Sequence, residues 1–95
     1  MRFEWDFNKD ALNQRKHGVS FQEAAEAFAD PNGLETFDAE HSGEESRRIR
    51  IGLSSQRLLL VVYVEREKDV IRIIHARKAG PSQEKMYEEN QGIKS

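Results

Sequence analysis

Leu58-Leu59-Leu60-Val61-Val62-Tyr63-Val64, then Glu67-Lys68-Asp69, then Val70-Ile71-Arg72-Ile73-Ile74-His75-Ala76, is the stretch from which the fold is read. Seven consecutive apolar residues leave neither face of a strand polar, so residues 58–64 predict a central strand covered on both sides. The three polar residues at 67–69 make a tight connection, and the β-branched run at 70–76 predicts a second strand pairing antiparallel with the first. One step back, Ile49, Ile51 and Leu53 alternate with Arg48 and Arg50, which predicts a strand over 47–53 with one dry and one wet side. Residues 34–40 read as a weak, acidic strand and 41–45 as a loop.

The N-terminal part has a different period. Phe3-Glu4-Trp5-Asp6-Phe7 alternates aromatic and acidic residues, predicting a short half-buried strand. Asn8 is placed to cap a helix over 9–17, and Gly18 to end it in a left-handed conformation. Ser20-Phe21-Gln22-Glu23 reads as a capping box, in which hydroxyl and carboxylate satisfy orphan amides reciprocally. It opens a helix with Phe21, Ala24, Ala25 and Phe28 on one face. Asp30-Pro31-Asn32-Gly33 stops that helix, and Pro81 starts a last one over 83–90 before a frayed tail. The sum is an α+β class in the order β-α-α-β-β-β-β-α, with helices packed on a mostly antiparallel sheet. It forms one domain over 1–95 with its core at about 3–88.

The 95 residues contain no cysteine, which removes disulfides and thiolate metal sites and suits a reducing cytoplasm. The longest apolar run is far below the roughly 20 residues needed to span a bilayer, and the start lacks an apolar signal region. The expected location is therefore cytoplasmic. A net charge of −2 argues against a nucleic-acid partner until it is read along the chain. Residues 18–46 hold eight acids and no Lys or Arg, whereas the remainder holds fifteen bases against nine acids, a net of +6. A fold that joins the two ends of the chain gathers that excess into a phosphate-binding surface. A P-loop, a dinucleotide glycine fingerprint, a zincin helix and a nucleophile elbow are all missing, so ATP, nicotinamide and metalloprotease chemistries have no support. No cofactor or metal is expected, since three scattered histidines, His41 among them, lack ligand spacing.

Three groups of residues remain. Lys9, Asn13, Lys16 and His17 share one helix face, where cations grip phosphate and an imidazole moves a proton; a plain solvated face is the competing reading. Arg66 closes the central strand, and Arg72, His75, Arg77 and Lys78 follow on its neighbour. Arg66 and Arg77 flank a common point if the hairpin register allows. Arg72, between Val70 and Ile74 on one strand face, calls for a carboxylate such as Glu45 or Glu65, for backbone carbonyls, or for an open cleft. Glu44 and Glu45 with Arg47 and Arg48 stand at a strand start, from which a carboxylate reaches the same cleft as general base or as an orienting group.

These strings resemble a known family. Phe3-Glu4-Trp5-Asp6, Lys9, Asn13, Lys16-His17-Gly18-Val19-Ser20-Phe21, Asp30-Pro31, Glu45, Arg47, Gly52 and Ile71-Arg72-Ile73-Ile74-His75-Ala76-Arg77-Lys78-Ala79, with Glu84 and Tyr87, are similar to the BrnT toxins of type II toxin-antitoxin pairs. The resemblance implies a RelE-like fold and a metal-independent endoribonuclease that arrests translation. It also implies a BrnA-like ribbon-helix-helix antitoxin as partner, RNA as substrate, and promoter DNA contacted only through the antitoxin complex. Lys16, His17, Glu45, Arg66, Arg72 and Arg77 would then be catalytic, and Lys9, Asn13, Arg47, His75 and Lys78 would bind RNA. A non-catalytic module that binds nucleic acid or antitoxin uses the same residues and stays open on sequence.

Overall fold

In the computed structural model, which describes residues 1–38 and 46–92, the apolar run at 58–64 lies in the middle of a five-stranded sheet. The elements are β1 (Arg2–Glu4), α1 (Phe7–His17), α2 (Phe21–Glu26) running into a 3₁₀ turn (Ala27–Ala29), β2 (Leu34–Phe37), β3 (Arg48–Leu53), β4 (Leu58–Arg66), β5 (Val70–Lys78) and α3 (Pro81–Gly92). The spatial order is β1-β5-β4-β3-β2, antiparallel throughout except for β1, which runs parallel to β5. The loop expected at 41–45 and the end of the strand expected at 34–40 fall outside the described residues.

β4 is dry on both sides, as seven apolar residues require. Leu59, Val61 and Tyr63 face α2 and join Val19, Phe21, Ala24 and Ala27 in the core; Leu60, Val62 and Val64 occupy the other face, none more than 9 % exposed. The neighbouring strand departs from expectation. Register puts Arg50 opposite Val61 and Gly52 opposite Leu59, so the arginine face of β3 is the one turned toward α2. Arg50 is accommodated because its donors find the Ala27 carbonyl at 2.9 Å, the Asp30 carbonyl at 2.8 Å and the Glu35 carboxylate at 2.9 Å, while its guanidinium covers the Phe28 ring. Gly52 admits the close approach of the 3₁₀ turn, since a Cβ there would sit 2.5 Å from the Ala27 carbonyl oxygen.

Two helix starts also differ from expectation. Asp6, rather than Asn8, caps α1, its carboxylate accepting from the Asn8 and Lys9 amides at 2.8 and 3.0 Å. Those two bonds, led by the one from Lys9, hold its pKa below the usual carboxylate range. The first strand consequently ends at Glu4, and Phe7 becomes an exposed first-turn residue. At α2 the Ser20 hydroxyl accepts from the Glu23 amide at 3.0 Å, but the reciprocal half of the capping box is replaced. The Glu23 carboxylate instead takes the Arg57 guanidinium at 2.8 and 3.0 Å and the Ser54 hydroxyl at 2.8 Å. Arg57 also donates to the Gly18 carbonyl at 2.7 Å, tying the β3–β4 connection to the turn between the first two helices. α3 is fastened through Tyr87, whose hydroxyl donates to Asp30; the same carboxylate caps the Leu53 amide at 2.8 Å. Burial, then the Asp30 carboxylate, push the Tyr87 hydroxyl up to about 12.

β1 covers β5 only from Val70 to Arg72, which leaves the rest of that edge to α1. Asn13, 6 % exposed, closes it: Nδ2 donates to the carbonyls of Ala76 and Val19, each at 2.8 Å, and Oδ1 accepts from the Ala76 amide at 3.2 Å. Asn13→Ala therefore leaves one amide and two carbonyls without partners in the interior, and should cost about 2–4 kcal/mol. Gly52→Ala forces the 3₁₀ turn off β3 and should cost about 1–3 kcal/mol. Urea unfolding of both variants against the parent checks these values, with Gln14→Ala as an exposed control expected within about 0.5 kcal/mol.

Candidate active site

A regular β5 would put Arg72 and Ile74 on one face and His75 and Arg77 on the other. The observed register shifts between Val62 and Tyr63: Val62 lies opposite His75 and Tyr63 opposite Ile73, so Ile74 is an extra residue. This β-bulge reverses the alternation after Arg72. Val64, Val62 and Leu60 share one face of β4, and their partners Arg72, His75 and Arg77 therefore share one face of β5.

The Asn13 bonds hold α1 against the bulged half of β5, and the residue one turn after Asn13 is His17. Its ring meets that of His75 edge to face, with centroids 4.8 Å apart and planes at 87°. Beside the pair runs a cleft of about 190 Å³ lined by Lys9, Leu12, Asn13, Lys16, His17, Ile74 and His75. Partial burial, then the positive surroundings of His17, Arg77 and Lys16, lower the pKa of His75 below the ordinary histidine value. Its imidazole is thus neutral near neutral pH, and able to accept a proton. Lys9, Lys16 and Arg77 make no ion pair among the described residues, whereas Arg50, Arg57 and Arg72 are each held by a glutamate, Glu35, Glu23 and Glu4 respectively. Glu35 and Glu23 of the 18–46 segment thus neutralise Arg50 of β3 and Arg57 of its following turn, and positive charge is left at the α1–β5 cleft. A proton acceptor among unpaired cations is equipped to act on an anionic group such as a phosphodiester.

The expected site residues divide accordingly. Lys9, Lys16, His17, His75 and Arg77 come together. Asn13 lines the same cleft, but its amide is engaged with backbone, so it positions the site and is not free to bind RNA. Arg66 does not converge with Arg77. It pairs with Val70, while Arg77 pairs with Leu60, and six residues of β4 at about 3.3 Å each put them roughly 20 Å apart. Arg72 lies between these ends, and its partner is Glu4 at 3.0 Å; Glu65, opposite Ile71, is on the other face. Lys78 is exposed on that other face opposite Leu59, and Arg47 precedes β3 on the far side of β4. Glu44, Glu45 and His41 lie outside the described residues. The pairing of His17 with His75 had no signal in the sequence, since it depends on the bulge.

A family model described as the ribonuclease toxin, BrnT, of type II toxin-antitoxin systems matches residues 5–83. No curated protein matches the chain in sequence. Among solved structures, the 1.1 Å crystal structure of the Brucella abortus ribonuclease toxin BrnT superposes with a TM-score of 0.65 at 19 % identity, covering 84 % of this chain and 97 % of that one. At that identity the likeness concerns the fold, and it agrees with an α+β arrangement of three helices on a mostly antiparallel sheet. The matched span from Trp5 to Gln83 contains α1, the bulge and the paired histidines, and the chain belongs to the BrnT family of ribonuclease toxins of type II toxin-antitoxin systems.

Proposed function

We propose that this toxin cleaves RNA at the α1–β5 cleft by attack of a ribose 2′-oxygen on the adjacent phosphorus, without a metal ion. The observation that carries the reading is the histidine pair set among unpaired cations. His75, neutral near pH 7, takes the 2′-hydroxyl proton. Lys16 and Arg77 stabilise the charge that builds on the phosphorane oxygens, and His17 returns a proton to the departing 5′-oxygen. DNA, which lacks the nucleophile, is not a substrate. Lys9 extends phosphate contact along α1, and Arg72 and Arg66 lie beyond the reacting bond, where they position the polynucleotide. Cleavage in the cytoplasm arrests translation, and a BrnA-like antitoxin with a ribbon-helix-helix part, through which promoter DNA is contacted, occupies the cleft with an acidic segment.

Purified, antitoxin-free protein with a defined RNA in EDTA tests this directly. Individual His75→Ala and His17→Ala substitutions should each lower the cleavage rate by about 10²–10⁴-fold, while Arg66→Ala should leave it within about tenfold. Retention of full activity by both histidine variants would remove the cleft as the catalytic centre, and no cleavage by the parent protein, also with translating ribosomes present, would move the function to a non-catalytic binding module. The pH profile gives a second test. A base is active when deprotonated, so cleavage should fall as pH drops through the lowered His75 pKa, placing the acid limb below the ordinary histidine value of about 6.5. Lys16→Ala or Arg77→Ala removes a positive neighbour, raises that pKa and should move the limb to higher pH. A limb that stays put in both variants would exclude His75 as the base.

A further inference from the structure

The chemistry proposed for the cleft needs imidazoles and cations only, yet two aliphatic side chains form part of its wall. Leu12 stands 47 % exposed on α1, and Ile74 is the residue that the bulge releases from the alternation of β5. Lys9 and Lys16 are seven residues apart on α1, about 10 Å along the helix axis, with Leu12 between them. The cleft therefore runs from a cationic end at Lys16, His17 and His75, across an apolar middle, to a second ammonium at Lys9. A phosphate at the histidines places its attached nucleoside base on the Leu12–Ile74 wall. An unstacked base seated there covers apolar surface that is otherwise wet.

Away from the histidines, the polar edge of the wall has one sign. Both ammonium groups are donors only. The Asn13 amide hydrogens are taken by the Val19 and Ala76 carbonyls, and its oxygen by the Ala76 amide. No carboxylate lines the cleft among the described residues. A base with two carbonyl acceptors meets this edge well, whereas an exocyclic amino group in the same position would face ammonium. We infer that the cleft between Leu12 and Ile74 is a nucleobase subsite that selects uracil over cytosine next to the scissile phosphate. This rests on the reading of the cleft as an RNA site, and it adds the substrate feature that directs cleavage.

Binding separates the two questions, because it does not require turnover. The protein is titrated with uridine 3′-monophosphate, cytidine 3′-monophosphate and ribose 5-phosphate, and the Leu12 and Ile74 methyl and the His17 and His75 ring resonances are followed by NMR. The uridine nucleotide should move both methyls and bind about tenfold more tightly than the other two. Leu12→Ala should bring all three to similar affinity while the histidine shifts persist. Equal affinity in the parent protein with unmoved methyls, or no response of the cleft to any of the three, overturns the subsite. Uridine binding at the methyls without any RNA cleavage would keep the subsite and remove the nuclease reading; cleavage indifferent to a U-to-C change would do the reverse.

Discussion

The site depends on one extra residue in β5 and on the side chain that closes the edge beside it. Without Ile74 as a bulge, His75 and Arg77 would point into the α2-covered core, where neither a charged guanidinium nor an unpaired imidazole is tolerated. With it, they share a face with Arg72. Among the described residues the bulged half of β5 has no strand partner at its outer edge, and the Asn13 amide substitutes for one at Ala76, the residue next to His75. The same side chain is one turn from His17. A single buried amide therefore ties both halves of the histidine pair into one rigid body, so that the functional geometry comes from edge satisfaction and a bulge, not from a loop.

Electrostatics follows from where the acidic segment folds. Among its described residues, Glu23 is taken by Arg57, the exposed Glu35 by Arg50, and the buried Asp30 by the Leu53 amide and the Tyr87 hydroxyl. For Asp30, burial opposes ionisation, but the bonds from Tyr87, Leu53 and Asn32 outweigh it and hold the carboxyl below its usual range. Arg50 and Arg57 are thereby structural. On β5, Arg72 is held by Glu4 across the parallel β1–β5 pair, a part-exposed bridge of little energetic weight. An acidic chain by net charge thus has a basic cleft.

What the sequence made legible was periodic. The doubly apolar β4, its hairpin with β5 and the capped α2 follow from alternation, β-branching and turn chemistry. What escaped was aperiodic or long-range. A bulge adds one residue with no composition signal, so plain alternation places Arg72 on one strand face with Val70 and Ile74. Arg50 looked like a wet-side residue because alternation cannot tell which face a helix will cover. Glu23 looked like half of a capping box because a stronger partner, Arg57, is remote in sequence. Helix spacing alone places Lys16 and His17 on one face with Lys9, while Arg66 meets Arg77 only in a hairpin register that β4 and β5 do not have.

The central claim is that the cleft positions a ribose 2′-oxygen for attack. The most direct measurement uses a short RNA with a single 2′-deoxy substitution at the bond that the protein cleaves, followed by analysis of the product ends. The intact RNA should yield a 2′,3′-cyclic phosphate and a 5′-hydroxyl, and the substituted bond should stay whole while others remain susceptible. Cleavage at the deoxy position, or products carrying a 5′-phosphate, would contradict it.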